Sequence, residues 1–208
     1  MTKAAPKRAS KSKKTYHHGD LRETLLAAAE NILRRKGLPA LTLRAIARES
    51  GVSHGAPAHH FPDLPALVSE LAAVGFNRLA DRLLAAPRGL QGTGHAYVGF
   101  ALENPALFVL MFREERLDAK NSALQSARAR AFSVLGMINY PGRKTLLEKV
   151  GAMTATWCMI HGFTVLAIDK RLVRLFDFVP GMNTVSLLDA ALEDMSQRRS
   201  MANDTPTS

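Results

Sequence analysis

Apolar residues recur at helical spacing along almost the whole chain, and the first clear stripe is Leu21, Leu25, Ala28, Ala29, Ile32 and Leu33. Steps of three and four put them on one face of an amphipathic helix. Asp20 with Glu23 reads as a capping-box start, and Gly37 after Arg34, Arg35 and Lys36 as a stop, so helix is expected over about 20–36. Thr42 is placed to cap a second, shorter helix in which Leu43, Ile46 and Ala47 share a face, up to Ser50 and Gly51. Ser53 is placed to cap a third that ends near Phe61. Two short helices joined by a Gly-containing turn form the pattern of a helix-turn-helix.

Leu67, Leu71, Val74, Leu79 and Leu83 then mark a long helix over about 64–86, ended by Pro87, Arg88 and Gly89. Further helices are expected at 91–103, after Asn104 and Pro105, and after Asn121 or Ser122, where Leu124, Ala127, Ala131 and Leu135 align. Tyr140, Pro141 and Gly142 form a break. A long apolar helix covers about 143–169, and a last one opened by Asn183 carries Val185, Leu188, Leu192 and Met195. No segment sustains two-residue alternation, so the expected fold is all-α with about nine helices.

Charge changes the picture. The 208 residues carry a formal charge of +10, and residues 1–61 hold twelve Lys or Arg against four Asp or Glu. Lys3, Lys7, Arg8, Lys11, Lys13 and Lys14 lie in a segment without an apolar face, which reads as a mobile cationic arm suited to a polyanion. A hydrophobic content of 47% excludes a disordered or low-complexity chain. The one cysteine, Cys158, has no partner for an internal disulfide, which points to a reducing compartment. No signal-type stretch follows the basic start, and no run approaches eighteen uninterrupted apolar residues. A soluble cytoplasmic protein without membrane contact is expected.

In a helix-turn-helix the second helix of the pair enters the major groove while the first crosses the phosphates. Here the reading positions are Ser53, His54, Gly55, Ala56, His59 and His60, flanked by Thr42 and Arg44. The histidines offer hydrogen bonds to bases or phosphates, Thr42 and Ser53 bring helix starts toward phosphate oxygens, and small Gly55 and Ala56 permit close approach to base edges. Pro57 removes a donor inside this segment, so the third helix is expected to be short or to begin late.

The run from Thr42 to Phe61, with Pro62, Asp63 and Leu67 after it, resembles the DNA-binding end of the tetracycline-repressor (TetR) family of bacterial transcriptional regulators. That resemblance implies an all-helical homodimer whose first three helices bind a double-stranded DNA operator. It also implies a C-terminal domain that binds a small-molecule effector and supplies the dimer interface. The organisation it implies is a basic arm at 1–19, a DNA-binding domain at 20–62, a ligand-binding and dimerisation domain at 63–199, and a tail at 200–208. Trp157, His161 and Gly162 are similar to the C-terminal subclass named for a Trp, His, Gly motif. Ala58 stands where the family usually has Tyr and Leu64 where it usually has Lys, both phosphate-contacting positions. The arm, with Lys13 and Lys14, is placed to compensate for them.

The effector site implied by the resemblance falls on Phe108, Met111, Phe112, Met153, Trp157 and His161, a bulky apolar set with one polar member. Gly151 and Gly162 in one helix, and the stripe from Val185 to Met195 in the next, are placed to form the dimer interface. The expected function is a ligand-responsive regulator, most simply a repressor released from its operator by the effector. Two alternatives stand beside it. One is a sequence-tolerant architectural DNA binder. The other is an enzyme with His161 as base and Cys158 as nucleophile, for which no orienting third group is evident. Neither His17 with His18 nor His59 with His60 has the spacing of a helical metal pair, so neither a metal nor a cofactor is expected.

Overall fold

The computed structural model describes residues 18–138, 140 and 142–201, and every regular element among them is helical. The predicted arm, including Lys13 and Lys14, and most of the predicted tail lie outside the described residues. In order the α-helices are α1 (His18–Lys36), α2 (Leu43–Glu49), α3 (Leu64–Ala85), α4 (Leu90–Glu103), α5 (Pro105–Met111), α6 (Ser122–Gly136), α7 (Leu146–Ile168) and α8 (Thr184–Met201). Short 3-10 turns lie at Leu38–Ala40, Ala56–His59, Glu114–Arg116 and Val173–Phe178. Each of the nine predicted helices has a counterpart, the third as the 3-10 turn Ala56–His59.

Local chemistry sets the boundaries. Thr42 Oγ1 accepts a hydrogen bond from the Ala45 amide at 3.1 Å, and Asn121 Oδ1 accepts one from Leu124 at 2.9 Å. Asn183 Oδ1 accepts from Val185 at 2.9 Å and from Ser186 at 3.1 Å. These three expected caps are present. Three others are corrected. Helix α1 begins at His18, so Asp20 lies inside its first turn. Asn104 holds the N-cap position of α5 with Pro105 after it, but makes no side-chain cap, because its side-chain amide donates backward to the Phe100 carbonyl at 3.0 Å. Ser53 contributes only its backbone carbonyl, to the Ala56 amide at 3.0 Å, and Gly55 precedes the third element without a side-chain cap.

Helix α3 is the spine of the fold. Leu67, Leu71 and Leu79 are fully buried along it, and one continuous apolar core runs from Leu25 and Ile46 past α3 to Leu188 and Leu192. Polar clamps fix its rotation: Arg22 pairs with Glu70, Arg78 holds Glu30 in a two-pronged contact at 2.5 and 3.0 Å, and Arg130 reaches Asp81 at 2.6 Å. Gly75 lets α5 lie against α3, since a Cβ there would stand 2.7 Å from the Met111 sulfur. Gly75→Leu is therefore expected to overpack this contact and cost about 1–3 kcal/mol. At this chain length that is a fall of roughly 2–12 °C in Tm, read by thermal denaturation.

The last two helices divide differently from the expectation. Leu188 and Leu192 of α8 turn inward, and Leu192 sits so close to Gly94 of α4 that a Cβ there would meet it at 2.8 Å. The α8 stripe is thus largely consumed within the chain, and only Val185 of it stays well exposed. Helix α7 behaves in the opposite way. Thr156, Ile160 and Thr164 form its buried ridge, while Leu146, Leu147, Val150, Val165 and Leu166 face outward. Its start is fixed by a reciprocal cap in which Thr145 Oγ1 accepts from Glu148 N at 3.2 Å and Glu148 accepts from Thr145 N at 3.0 Å. By length and composition α7 could cross a membrane, a property not anticipated from the search for uninterrupted apolar runs.

Candidate nucleic-acid interface and internal cavity

The N-terminal head builds an exposed reading face from very few residues. Ile46 and Ala47 of α2 are fully buried, and Phe61 and Pro57 join them, so the opposite side of the pair must face outward. The turn after α2 is a tight one: Gly51 adopts φ +70°, its amide bonds the Arg48 carbonyl at 3.2 Å, and Val52 N bonds the Ala47 carbonyl at 3.0 Å. This left-handed closure suits glycine and reverses the chain at once. Thr42, Arg44, Ser53, His54, Gly55 and His59 are exposed, whereas Ala56 and His60 are half-buried.

Charge on this face is left available. Arg35 is engaged by Glu49 at 2.5 Å, but Arg44 and Arg48 make no ion pair among the described residues. Arg22 lies over the Phe61 ring at 5.2 Å, and Asp63 Oδ1 accepts from Ala66 N at 2.8 Å to start α3. That cap escaped the sequence reading, although Asp63 followed by Pro65 is its usual signature. The reading turn therefore ends only a few residues before the spine helix begins.

Behind the head, α3, α4, α6 and α7 form a half-open cavity of about 190 Å³ lined by Phe76, Tyr97, Phe112, Phe132 and Trp157, with Arg128 and Glu114 as its charged members. A second hollow of about 300 Å³ lies on the other side of Phe112, against Phe108, His161, Val165 and Asp169. The predicted effector residues are thus separated. Trp157 belongs to the first cavity, Phe108 and His161 to the second, and Phe112 to both. Met153 lines a different surface groove with Tyr140 and Leu146. Met111 is fully buried against α3 and lines none of these spaces, which makes it a packing residue.

His161 is the hub between the two spaces. Its ring centroid is 4.5 Å from that of Phe112, 5.6 Å from Phe108 and 5.7 Å from Trp157. The Tyr97 hydroxyl lies 2.9 Å from His161 Nδ1. Burial pushes the Tyr97 phenol well above its ordinary value, so the phenol keeps its proton. Burial also holds the His161 imidazole below its ordinary range. The neutral ring shares one hydrogen bond with the phenol through Nδ1, and its tautomer sets which of the two donates.

A pH effect follows. An unfolded histidine titrates near pH 6.5, whereas folded His161 binds its proton only at lower pH. Its stabilisation is full above about pH 6.5 and is lost as pH falls toward the folded value, because the unfolded chain takes up the proton first. Melting temperature is expected to drop between about pH 7.5 and 5.5, and His161→Gln is expected to shrink that drop. An undiminished drop in the variant refutes the assignment.

An exposed helix-turn-helix face on an all-helical body with an internal cavity defines the class of two-part helical DNA-binding regulators. Residues 25–71 match the family model of bacterial regulatory proteins of the tetR family, and residues 90–195 match the tetracyclin repressor-like C-terminal domain. The chain belongs to the tetracycline-repressor family of bacterial transcriptional regulators. It is 24% identical over 174 residues to the uncharacterized HTH-type transcriptional regulator YobS of Bacillus subtilis, a match spanning 79% of this chain and 88% of that protein. Among solved structures it is similar to a protein of unknown function from Rhodococcus sp. RHA1, with a TM-score of 0.71, 30% identity, and 88% and 96% of the two chains covered. It shares its fold with a possible TetR family regulator of Streptomyces coelicolor A3(2), with a TM-score of 0.63, 14% identity, and 86% and 99% covered.

Proposed function

We propose that this regulator is a homodimeric repressor whose operator contact is made by Thr42, Arg44, Ser53, His54, Gly55, Ala56, His59 and His60, and whose release is driven by a small molecule in the aromatic cavity. The arm with Lys13 and Lys14 adds phosphate contacts. One observation carries the coupling. Helix α3 starts shortly after the reading turn, and Phe76, Leu79 and Leu83 in its C-terminal half wall the cavity. A ligand that presses on this wall moves a rod clamped to α1 through Arg22–Glu70 and Arg78–Glu30. Two reading turns must match half-sites about 34–36 Å apart, so a small rotation of each rod breaks the match. A coupling of about 1–3 kcal/mol changes operator affinity roughly five- to 150-fold.

The dimer is assigned to the outward side of α7. Leu147, Gly151, Ala155, Cys158 and Gly162 follow one another at helical steps on that side, and a Cβ at Gly151 or Gly162 would meet nothing within 4 Å. A second copy laid across this row covers apolar surface that the single chain leaves in water.

Selection of bound fragments from genomic DNA, followed by competition with random DNA, tests the reading. A regulator is expected to prefer its site about 10³-fold or more, and a ratio near one supports an architectural binder instead.

A further inference from the structure

The aromatic cavity has a chemical polarity that narrows what enters it. Its deep end is satisfied: the Tyr97 hydroxyl is committed to His161 Nδ1 at 2.9 Å, and no buried side-chain polar atom among the described residues lacks a partner. A ligand group placed there finds rings and no open hydrogen-bonding site, so that end selects an apolar ring. Charge enters only at the mouth, where Arg128 pairs with Glu114 at 2.6 Å.

The two charges are not equally fixed. Arg128 stands within α6, its guanidinium lies over the Phe76 ring at 5.6 Å, and its side chain is 27% exposed. Glu114 comes from a three-residue 3-10 turn and its side chain is 66% exposed. Swinging Glu114 into water costs little because it is already mostly hydrated, whereas moving Arg128 removes a cation from an aromatic face and unpacks its stem. What an incoming ligand meets is a stationary guanidinium with a removable counter-ion. Guanidinium geometry matches a carboxylate in two parallel hydrogen bonds. Size agrees: about 190 Å³, open to solvent at the charged mouth, holds one benzene-sized ring, which occupies an engineered apolar cavity of about 150 Å³, and lets a short acidic arm reach the opening.

We propose that the effector of this cavity is a small aryl carboxylate, its ring held among Phe112, Phe132 and Trp157 and its carboxylate on Arg128 in place of Glu114. The proposal rests on the reading of the cavity as the effector site.

Trp157 is the one tryptophan of the chain, so its fluorescence reports occupancy directly. The test titrates the full chain with phenylacetate, phenylacetamide and phenethylammonium, checked by calorimetry. Phenylacetate is expected to quench Trp157 saturably and to bind at least about tenfold more tightly than the other two, the factor expected for one charge-assisted pair. Arg128→Gln is expected to remove that preference, so that within the variant phenylacetate binds no more tightly than phenylacetamide. Glu114→Gln is expected to raise phenylacetate affinity several-fold, and it does not disturb the packing of Arg128 on Phe76. Tighter binding of phenethylammonium, or weaker phenylacetate binding in Glu114→Gln, overturns the carboxylate assignment and leaves the cavity as an effector site. Silence from all three probes overturns both.

Discussion

Gly162→Arg is expected to turn the dimer into a monomer of 22.7 kDa that no longer holds its operator. The residue lies on the outward row of α7, and a Cβ there meets nothing within 4 Å in the single chain. Replacing a mid-helix glycine also favours the helix by about 0.5–1 kcal/mol, so the isolated protomer is not destabilised. Two arginines brought together at a two-fold contact, by contrast, place like charges in a desolvated interface. Light scattering is expected to give half the wild-type mass, with a single cooperative melt whose Tm no longer depends on protein concentration. Operator affinity is expected to fall by about 10³ or more, toward the non-specific level. A variant that remains dimeric refutes α7 as the contact. If detergent or lipid vesicles, and no second copy, protect Cys158 from thiol reagents, the apolar row serves a membrane instead.

Arg44→Ala is the second large effect expected. Arg44 is exposed beside the capped start of α2 and has no ion-pair partner among the described residues. Removing it therefore orphans no internal charge, and the loss appears in binding without a matching loss of stability. One good base or phosphate contact is worth about 1–3 kcal/mol, and a homodimer loses it in both half-sites, so about 2–6 kcal/mol is expected in all. Salt titration separates the two roles. A phosphate contact lowers the slope of log K against log salt by about one per half-site, whereas a base contact leaves the slope and relaxes specificity. His59→Ala is expected to act in the same direction, and unchanged binding in both variants refutes the reading face.

Much of this was legible because helices declare themselves locally. The Leu21 to Leu33 stripe, the cap at Thr42 and the left-handed Gly51 depend on neighbours a few residues away, and the structure has all three. The same held for Asp63 and for Thr145 with Glu148, whose signals stand in the sequence although they were not read. Ser53 failed for a local reason too: the element starts two residues later, at Ala56, and Gly55, which has no side chain to cap with, takes the N-cap position. The cavity was less legible because its walls are set by which way distant helices roll. Met111 and Phe112 are adjacent in sequence, yet Gly75 draws one into the core and the other divides two hollows. Nor does the α8 stripe announce its partner, since α4 and a symmetry mate would both satisfy Leu188 and Leu192. Gly94 decides for α4.

The reading turn itself is four residues of 3-10 helix. With a rise of about 2.0 Å per residue and about three residues per turn, it spans roughly 8 Å and eclipses Ala56 with His59. Base pairs repeat every 3.4 Å along the duplex, so the turn by itself spans about two or three of them, and the proposed contacts at Thr42, Arg44, Ser53 and His54 add only a few more. A word that short recurs throughout any genome. If two copies pair along α7 as proposed, much of the address lies in the distance between two such words, and α3 and α7 together set that distance.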